Sequence, residues 1–173
     1  VTIIGGCVDE GIEGYRPPSL ECAKQLCEEL GIRFETVSYP ELGFKEMDEV
    51  VNKIVELEDK KAPCSYCGVF RRQGINHLAQ RVEADVIALG HNLDDMAQTI
   101  MMNMQSGDLE RTLRLAPHTN TPLEGMAPRI VPLRWIPEQE IHACAMVLKL
   151  PFHDDECPHS ATALRGLHLS LIH

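Results

Sequence analysis

No stretch of the 173 residues is apolar for long enough to cross a bilayer, which excludes a helical membrane span. No basic segment precedes the apolar opening Val1-Thr-Ile-Ile4, so a secretory leader is not expected. Internal repeats, heptads and low-complexity tracts are missing, which removes solenoids, coiled coils and disordered tethers. Positive charge is in deficit, with a net charge of −10, and this argues against a broadly basic nucleic-acid surface. A second Cys-x-x-Cys pair is also missing, so a four-thiol zinc finger cannot be assembled from two such pairs. What remains is a cytoplasmic globular protein. Its hydrophobic content of 44% and charged content of 24% suffice for a single core.

The acidity is unevenly spread. Residues 1–63 carry 14 acids against 7 bases, whereas residues 64–134 carry 7 of each. Every base in that middle stretch is an arginine: Arg71, Arg72, Arg81, Arg111, Arg114, Arg129 and Arg134. The planar fork of arginine suits phosphate, although a neutral surface with scattered arginines accounts for the charge equally well. Cysteine is plentiful, with seven residues, an odd number that favours thiol, metal or redox use over a disulfide framework.

Apolar periodicity predicts strands at 1–8, 34–38, 84–90 and 129–133, with a short final strand at 151–153. Helices are expected from Pro17 to Leu30 with Gly31 as the stop, and over 47–57, 69–82, 93–105 and 137–149. Residues 106–128 are rich in Gly, Pro, Thr and Asn and predict a long loop with one helical turn near 109–115. Strands alternating with helices give an α/β fold with a doubly wound parallel sheet, in which ligands sit beyond the C-terminal strand ends. Asp9–Glu10, Gly90–Asp95 and Leu133–Arg134 fall at such ends.

Two constellations carry chemistry. Cys64 and Cys67 in Pro63-Cys-Ser-Tyr-Cys-Gly68 have the spacing of two thiolates on one metal or cluster, and a helix start behind them would lower their pKa. The pair alone leaves open half a zinc site, a redox dithiol, a cluster site or coincidence. Cys157, in Glu156-Cys-Pro-His-Ser160, supplies a third thiol, with His153 or His159 as a supplement. Cys7, Cys22, Cys27 and Cys144 read as core. Arg71 and Arg72 follow the pair by one turn and suit a phosphate, or a solvated helix face. In Gly90-His-Asn-Leu-Asp-Asp95, Gly90 permits close backbone approach, while Asp94 and Asp95 suit Mg²⁺ and phosphate or a helix cap. Two consecutive acids are not expected to cap one helix together.

Taken jointly, Cys64-Ser-Tyr-Cys-Gly-Val-Phe-Arg-Arg72, Gly90-His-Asn-Leu-Asp-Asp-Met-Ala-Gln-Thr99, Asn103 with Gly107-Asp108, and Glu156-Cys-Pro-His-Ser160 resemble the TtcA/TtuA family of tRNA-thiolating enzymes. Gly68-Val-Phe-Arg-Arg72 is most similar to the archaeal and eukaryotic cytosolic branch that makes 2-thiouridine at the wobble position. The resemblance implies an adenine-nucleotide alpha-hydrolase-like, Rossmann-like ATP pyrophosphatase fold and a [4Fe–4S] cluster on Cys64, Cys67 and Cys157. It implies ATP with Mg²⁺, contacted by Asp9, Arg71, Gly90 and Asp95, with Asp95, Cys64 and Cys157 as the catalytic set. Arg71 stands where the bacterial branch has a lysine, so its charge is kept but neutral-amine chemistry is not. The implied reaction adenylates the uridine C2 oxygen and then inserts sulfur delivered by a ubiquitin-like carrier protein. Expected partners are therefore tRNA and that carrier, with a homodimer as an open assembly. The alternatives are a non-catalytic metal- or nucleotide-binding module, or another ATP pyrophosphatase such as an amidating synthetase, which needs no cysteine triad.

Residues 1–173 lack the family's phosphate loop Ser-Gly-Gly-x-Asp-Ser and its terminal zinc modules. The expectation is a partial domain over 1–168, inactive on its own, and a non-native tail over 169–173. That tail is what CTG TCT CTT ATA CAC would encode, matching a transposon adapter used in sequencing libraries.

Overall fold

β-Branched and small residues place Ile4–Asp9 in an extended strand, β1, which pairs in parallel with β2, Arg33–Ser38. The register runs from Ile4 opposite Arg33 to Asp9 opposite Ser38, so both strands end level. This computed structural model describes residues 1–57, 62–113 and 126–160. Arg114, Leu115 and the expected tail over 169–173 lie outside them.

The described residues fall into two compact units. The first comprises the described parts of 1–78 and 148–160. Between its strands runs α1, Arg16–Glu29, whose first turn carries the prolines, where a missing N–H costs nothing. After β2 a short 3₁₀ turn, Pro40–Leu42, leads to α2, Met47–Glu56, and α3, Pro63–Arg81. The core gathers Val8 and Val37 from the strands, Ile12, Tyr39, Met47 from α2 and Leu78 from α3. Burying such side chains contributes about 1.5–3 kcal/mol each.

Helix α3 enters this core through Gly74. A Cβ there would stand 2.9 Å from both methyl groups of Val8 and 3.4 Å from Leu42 Cδ1. Glycine is thus required by close approach rather than by backbone torsion.

The second unit comprises the described parts of 79–147. Its strands are two residues each: β3, Ile87–Ala88, parallel to β4, Arg129–Ile130. Backbone bonds from Ile87 N to Pro128 O and from Leu89 N to Ile130 O flank that bridge. Helices α4, Leu93–Ser106, α5, Leu109–Leu113, and α6, Glu138–Leu148, complete it.

An α/β chain with parallel strands is therefore present, as two strand pairs among the described residues. Several boundaries differ from expectation. α3 starts at Pro63 instead of Val69, because proline opens a helix readily, and the Cys pair falls within its first two turns. β4 is shorter than expected because Pro132 has no N–H to donate. Residues 151–153 form no strand, and the ring of His153 instead faces Tyr15, 5.6 Å between centroids.

Gly74→Ala gains helix propensity of about 1 kcal/mol but forces methyl groups apart at a cost of about 1–3 kcal/mol. The expected result in urea unfolding is a net loss of stability; an unchanged or raised midpoint would contradict the close approach.

Candidate functional site

The C-terminal end of β1 turns sharply at Asp9-Glu10-Gly11. Gly11 has φ +66°, and a Cβ there would strike the Glu46 side chain at 2.5 Å. Asp9 Oδ1 accepts the Gly11 N–H at 3.0 Å, and the Asp9 carbonyl accepts the Tyr39 N–H at 3.0 Å. The Glu10 carbonyl accepts the Met47 N–H at 2.8 Å, satisfying a first-turn donor of α2. Asp9, expected at a nucleotide, thus has one carboxylate oxygen engaged in shaping this turn.

The neighbouring acid is the unforeseen one. Glu10 is only 1% exposed, and its carboxylate lies between two guanidinium groups. Oε2 is 2.6 Å from Arg16 Nε and Oε1 is 2.8 Å from Arg71 Nη2. Arg16 also donates from Nε to the Val8 carbonyl at 3.0 Å. Two cations at this distance offset part of the desolvation of the buried carboxylate, whose oxygens make no hydrogen bond of good geometry among the described residues. Burial alone would weaken the Arg71 charge, but Glu10, Cys67 and Tyr39 outweigh it and hold that guanidinium above the ordinary arginine range. Sequence position flagged Glu10 only as a strand-end acid; nothing in one sequence announces that it will be buried.

Arg71 leads from this carboxylate to sulfur. The same Nη2 that meets Glu10 lies 3.7 Å from Cys67 Sγ, one helical turn back. On the other side Tyr39 directs its hydroxyl at Cys67, 3.0 Å from the carbonyl and 3.3 Å from Sγ. Burial, and then the contact with Cys67, push the Tyr39 hydroxyl far above the usual phenol range.

Cys64, Cys67 and Cys157 are all free thiols of the first unit. Cys67 and Cys157 pack against its core, while Cys64 is exposed with Sγ 3.9 Å from the His159 carbonyl. The Cys64 thiol is raised above its ordinary pKa by burial, then by Cys157 and Cys67, with Arg71 opposing. The direction is opposite to the lowering expected from a helix start. Among the described residues no three His, Cys, Asp or Glu side chains stand close enough to chelate one metal ion. Three thiols around one locality nevertheless suit a polynuclear cluster, which takes one thiolate at each of several irons.

Of the two nearby histidines, His159 has a partner at hydrogen-bond distance, whereas the buried His153 Nε2 makes no hydrogen bond among the described residues. His159 Nε2 lies 2.7 Å from Asp48 Oδ1, and His153 Nε2 lies 3.7 Å from Asp155 Oδ2. Asp48 Oδ2 also accepts the Glu13 N–H at 2.9 Å. One carboxylate at the start of α2 therefore pins both the loop after β1 and the segment carrying Cys157.

In the second unit, Asp94 and Asp95 both cap, but on different helices. Asp95 forms a reciprocal capping box with Asn92: Asp95 N donates to Asn92 Oδ1 at 2.9 Å, and Asn92 N donates to Asp95 Oδ2 at 3.1 Å. Asp94 Oδ2 accepts the Glu138 N–H at 2.7 Å, at the start of α6. Gly90 has open space where a Cβ would stand, so a ligand could approach its backbone.

No family model matches the chain. It is 39% identical over 175 residues to the tRNA 2-thiolation protein NcsA of Haloferax volcanii, covering 96% of this chain and 53% of that protein. It is 40% identical over 160 residues to the cytoplasmic tRNA 2-thiolation protein 1 of Danio rerio, covering 92% and 46%. Among solved structures it resembles the U34-tRNA thiolase NcsA from Methanococcus maripaludis with its [4Fe–4S] cluster, at a TM-score of 0.82 and 36% identity, covering 98% of this chain and 55% of that one. The chain thus spans about half the length of the relatives it matches.

Removing Glu10 by Glu10→Ala leaves Arg16 without its buried partner and should cost about 3–5 kcal/mol of unfolding free energy. Arg71→Ala should cost only about 1 kcal/mol, since Arg71 is 52% exposed and Arg16 still neutralises Glu10. Equal losses in urea unfolding would contradict this ordering. In metal-free protein, alkylation at Cys64 should keep accelerating as pH rises past that of an unstructured cysteine peptide. The raised thiol pKa delays thiolate formation; a plateau at lower pH would contradict it.

Proposed function

We propose, on the premise that this chain has the tRNA 2-thiolation proteins as homologues, that it forms part of a cytoplasmic tRNA sulfurtransferase. In this reading it carries a [4Fe–4S] cluster on Cys64, Cys67 and Cys157. The observation that carries the proposal is that the remote Cys157 shares a core with the Cys64–Cys67 pair: Cys67 and Cys157 pack against the same cluster, and Cys64 Sγ lies 3.9 Å from the carbonyl of His159, two residues beyond Cys157. The finer fold assignment is the adenine-nucleotide alpha-hydrolase-like, doubly wound ATP pyrophosphatase fold, supported by two parallel strand pairs alternating with helices.

The chemistry asks for an activated uridine. The C2 carbonyl is a poor electrophile, and ATP with Mg²⁺ would adenylate its oxygen so that AMP can leave. Gly90 is assigned to the nucleotide because its surroundings are open. Asp95 is assigned there because it sits at the N-terminus of α4, fixed by its capping box. Asp9 would act on the nucleotide through the turn it shapes. Arg71 supplies a permanent positive charge, held by Glu10, to oppose the charge of phosphate or sulfur. The bound cluster would supply a metal site on which sulfur stays deprotonated, and so nucleophilic, at neutral pH. The full proposal includes tRNA as substrate with the wobble uridine as target, a ubiquitin-like sulfur carrier as donor and a homodimer as assembly.

Anaerobic reconstitution with iron and sulfide tests the cluster. Wild-type protein should gain the broad visible absorption and iron content of a [4Fe–4S] protein. Cys157→Ala should lose most of both, while Cys144→Ala, an exposed cysteine on α6, should keep them. A colourless wild-type protein holding only zinc would overturn the proposal.

A further inference from the structure

The geometry points to Tyr39 as a positioning residue for the Cys67 sulfur, its buried hydroxyl being the fixed donor that a metal-bound Cys67 thiolate accepts. This rests on the cluster reading above. Tyr39 is fully buried, and its backbone N–H is tied to the Asp9 carbonyl at 3.0 Å. Its ring is held edge-on by Phe44 and Phe70 at 6.3 and 5.5 Å, and those two rings stack on each other at 4.3 Å. A ring fixed on these sides delivers its oxygen to one place.

Proton counting says what that oxygen does there. A phenol has one proton to give, yet the Tyr39 oxygen lies within reach of both the Cys67 carbonyl and Sγ. While Cys67 is a thiol, S–H can donate to the phenol oxygen as the phenol donates to the carbonyl, and both contacts are satisfied. A thiol gives up its proton when it ligates metal, and the sulfur is then an acceptor only. The Cys67 carbonyl lies within α3, where the amide four residues on is its helical donor. The hydroxyl can therefore turn from carbonyl to sulfur without orphaning either group.

Arg71 Nη2, at 3.7 Å, is a second donor facing the same sulfur. Cys64 Sγ, by contrast, faces an acceptor, the His159 carbonyl at 3.9 Å. Donors thus gather at the Cys67 corner. Hydrogen bonds to cluster sulfurs favour the more negative, reduced state and raise the reduction potential.

The test is potentiometry of the reconstituted protein, following the cluster by electron paramagnetic resonance. Tyr39→Phe keeps the ring contacts and removes only the hydroxyl; it should retain the cluster and shift the midpoint potential to more negative values. Phe70→Leu keeps the hydroxyl but loosens the ring, and should shift it in the same direction by less. An unchanged potential in cluster-loaded Tyr39→Phe overturns the assignment. Failure of Tyr39→Phe to fold overturns it too, because the hydroxyl would then serve the core. A wild-type protein that takes no cluster overturns the reading of the previous subsection, and this one with it.

Discussion

The arrangement around sulfur depends on one carboxylate that water cannot reach. Glu10 holds Arg16 at the start of α1 and Arg71 on α3, while its own carbonyl receives the first turn of α2. Three helices are thereby referred to the end of a single strand. The pairing is expensive to build and more expensive to break, because an isolated buried charge cannot be neutralised by solvent. Its function here is geometric: it fixes where a guanidinium stands, and that guanidinium faces the sulfur of Cys67.

The alternation of strands and helices was legible because burial imposes a period on the sequence, and periods survive without knowledge of partners. The Cys-x-x-Cys pair and the outlying Cys157 stood out in the sequence by their settings, and the structure places all three in one unit. Illegibility began where a residue's role is set by something remote in sequence. Asp94 and Asp95 looked like rivals for one helix end. The partner that separates them, Glu138, lies 44 residues away. Glu10 looked like an ordinary strand-end acid because one of its two cations belongs to a later helix. Tyr39 gave no chemical signal, since an aromatic after a strand is usually core, as its ring is.

The direction of the Cys64 shift shows the same contrast between local and assembled effects. A helix start, taken alone, favours a thiolate. The folded neighbourhood adds partial burial and two further thiols, and these raise the Cys64 thiol instead.

The close approach of Gly74 to Val8 bears on tolerance. α3 has 19 residues, a rod roughly 28 Å long, with the cysteine pair in its first two turns. Gly74 follows Cys67 by two helical turns, about 10 Å along the axis, and so on nearly the same face. The depth to which the helix sinks at that glycine therefore sets the height at which the pair is presented. A rod that stiff does not absorb a displaced contact; it transmits it. Alignment of the sulfur end is a manufacturing tolerance fixed two turns away, by the bare width of a glycine against the two methyls of a valine.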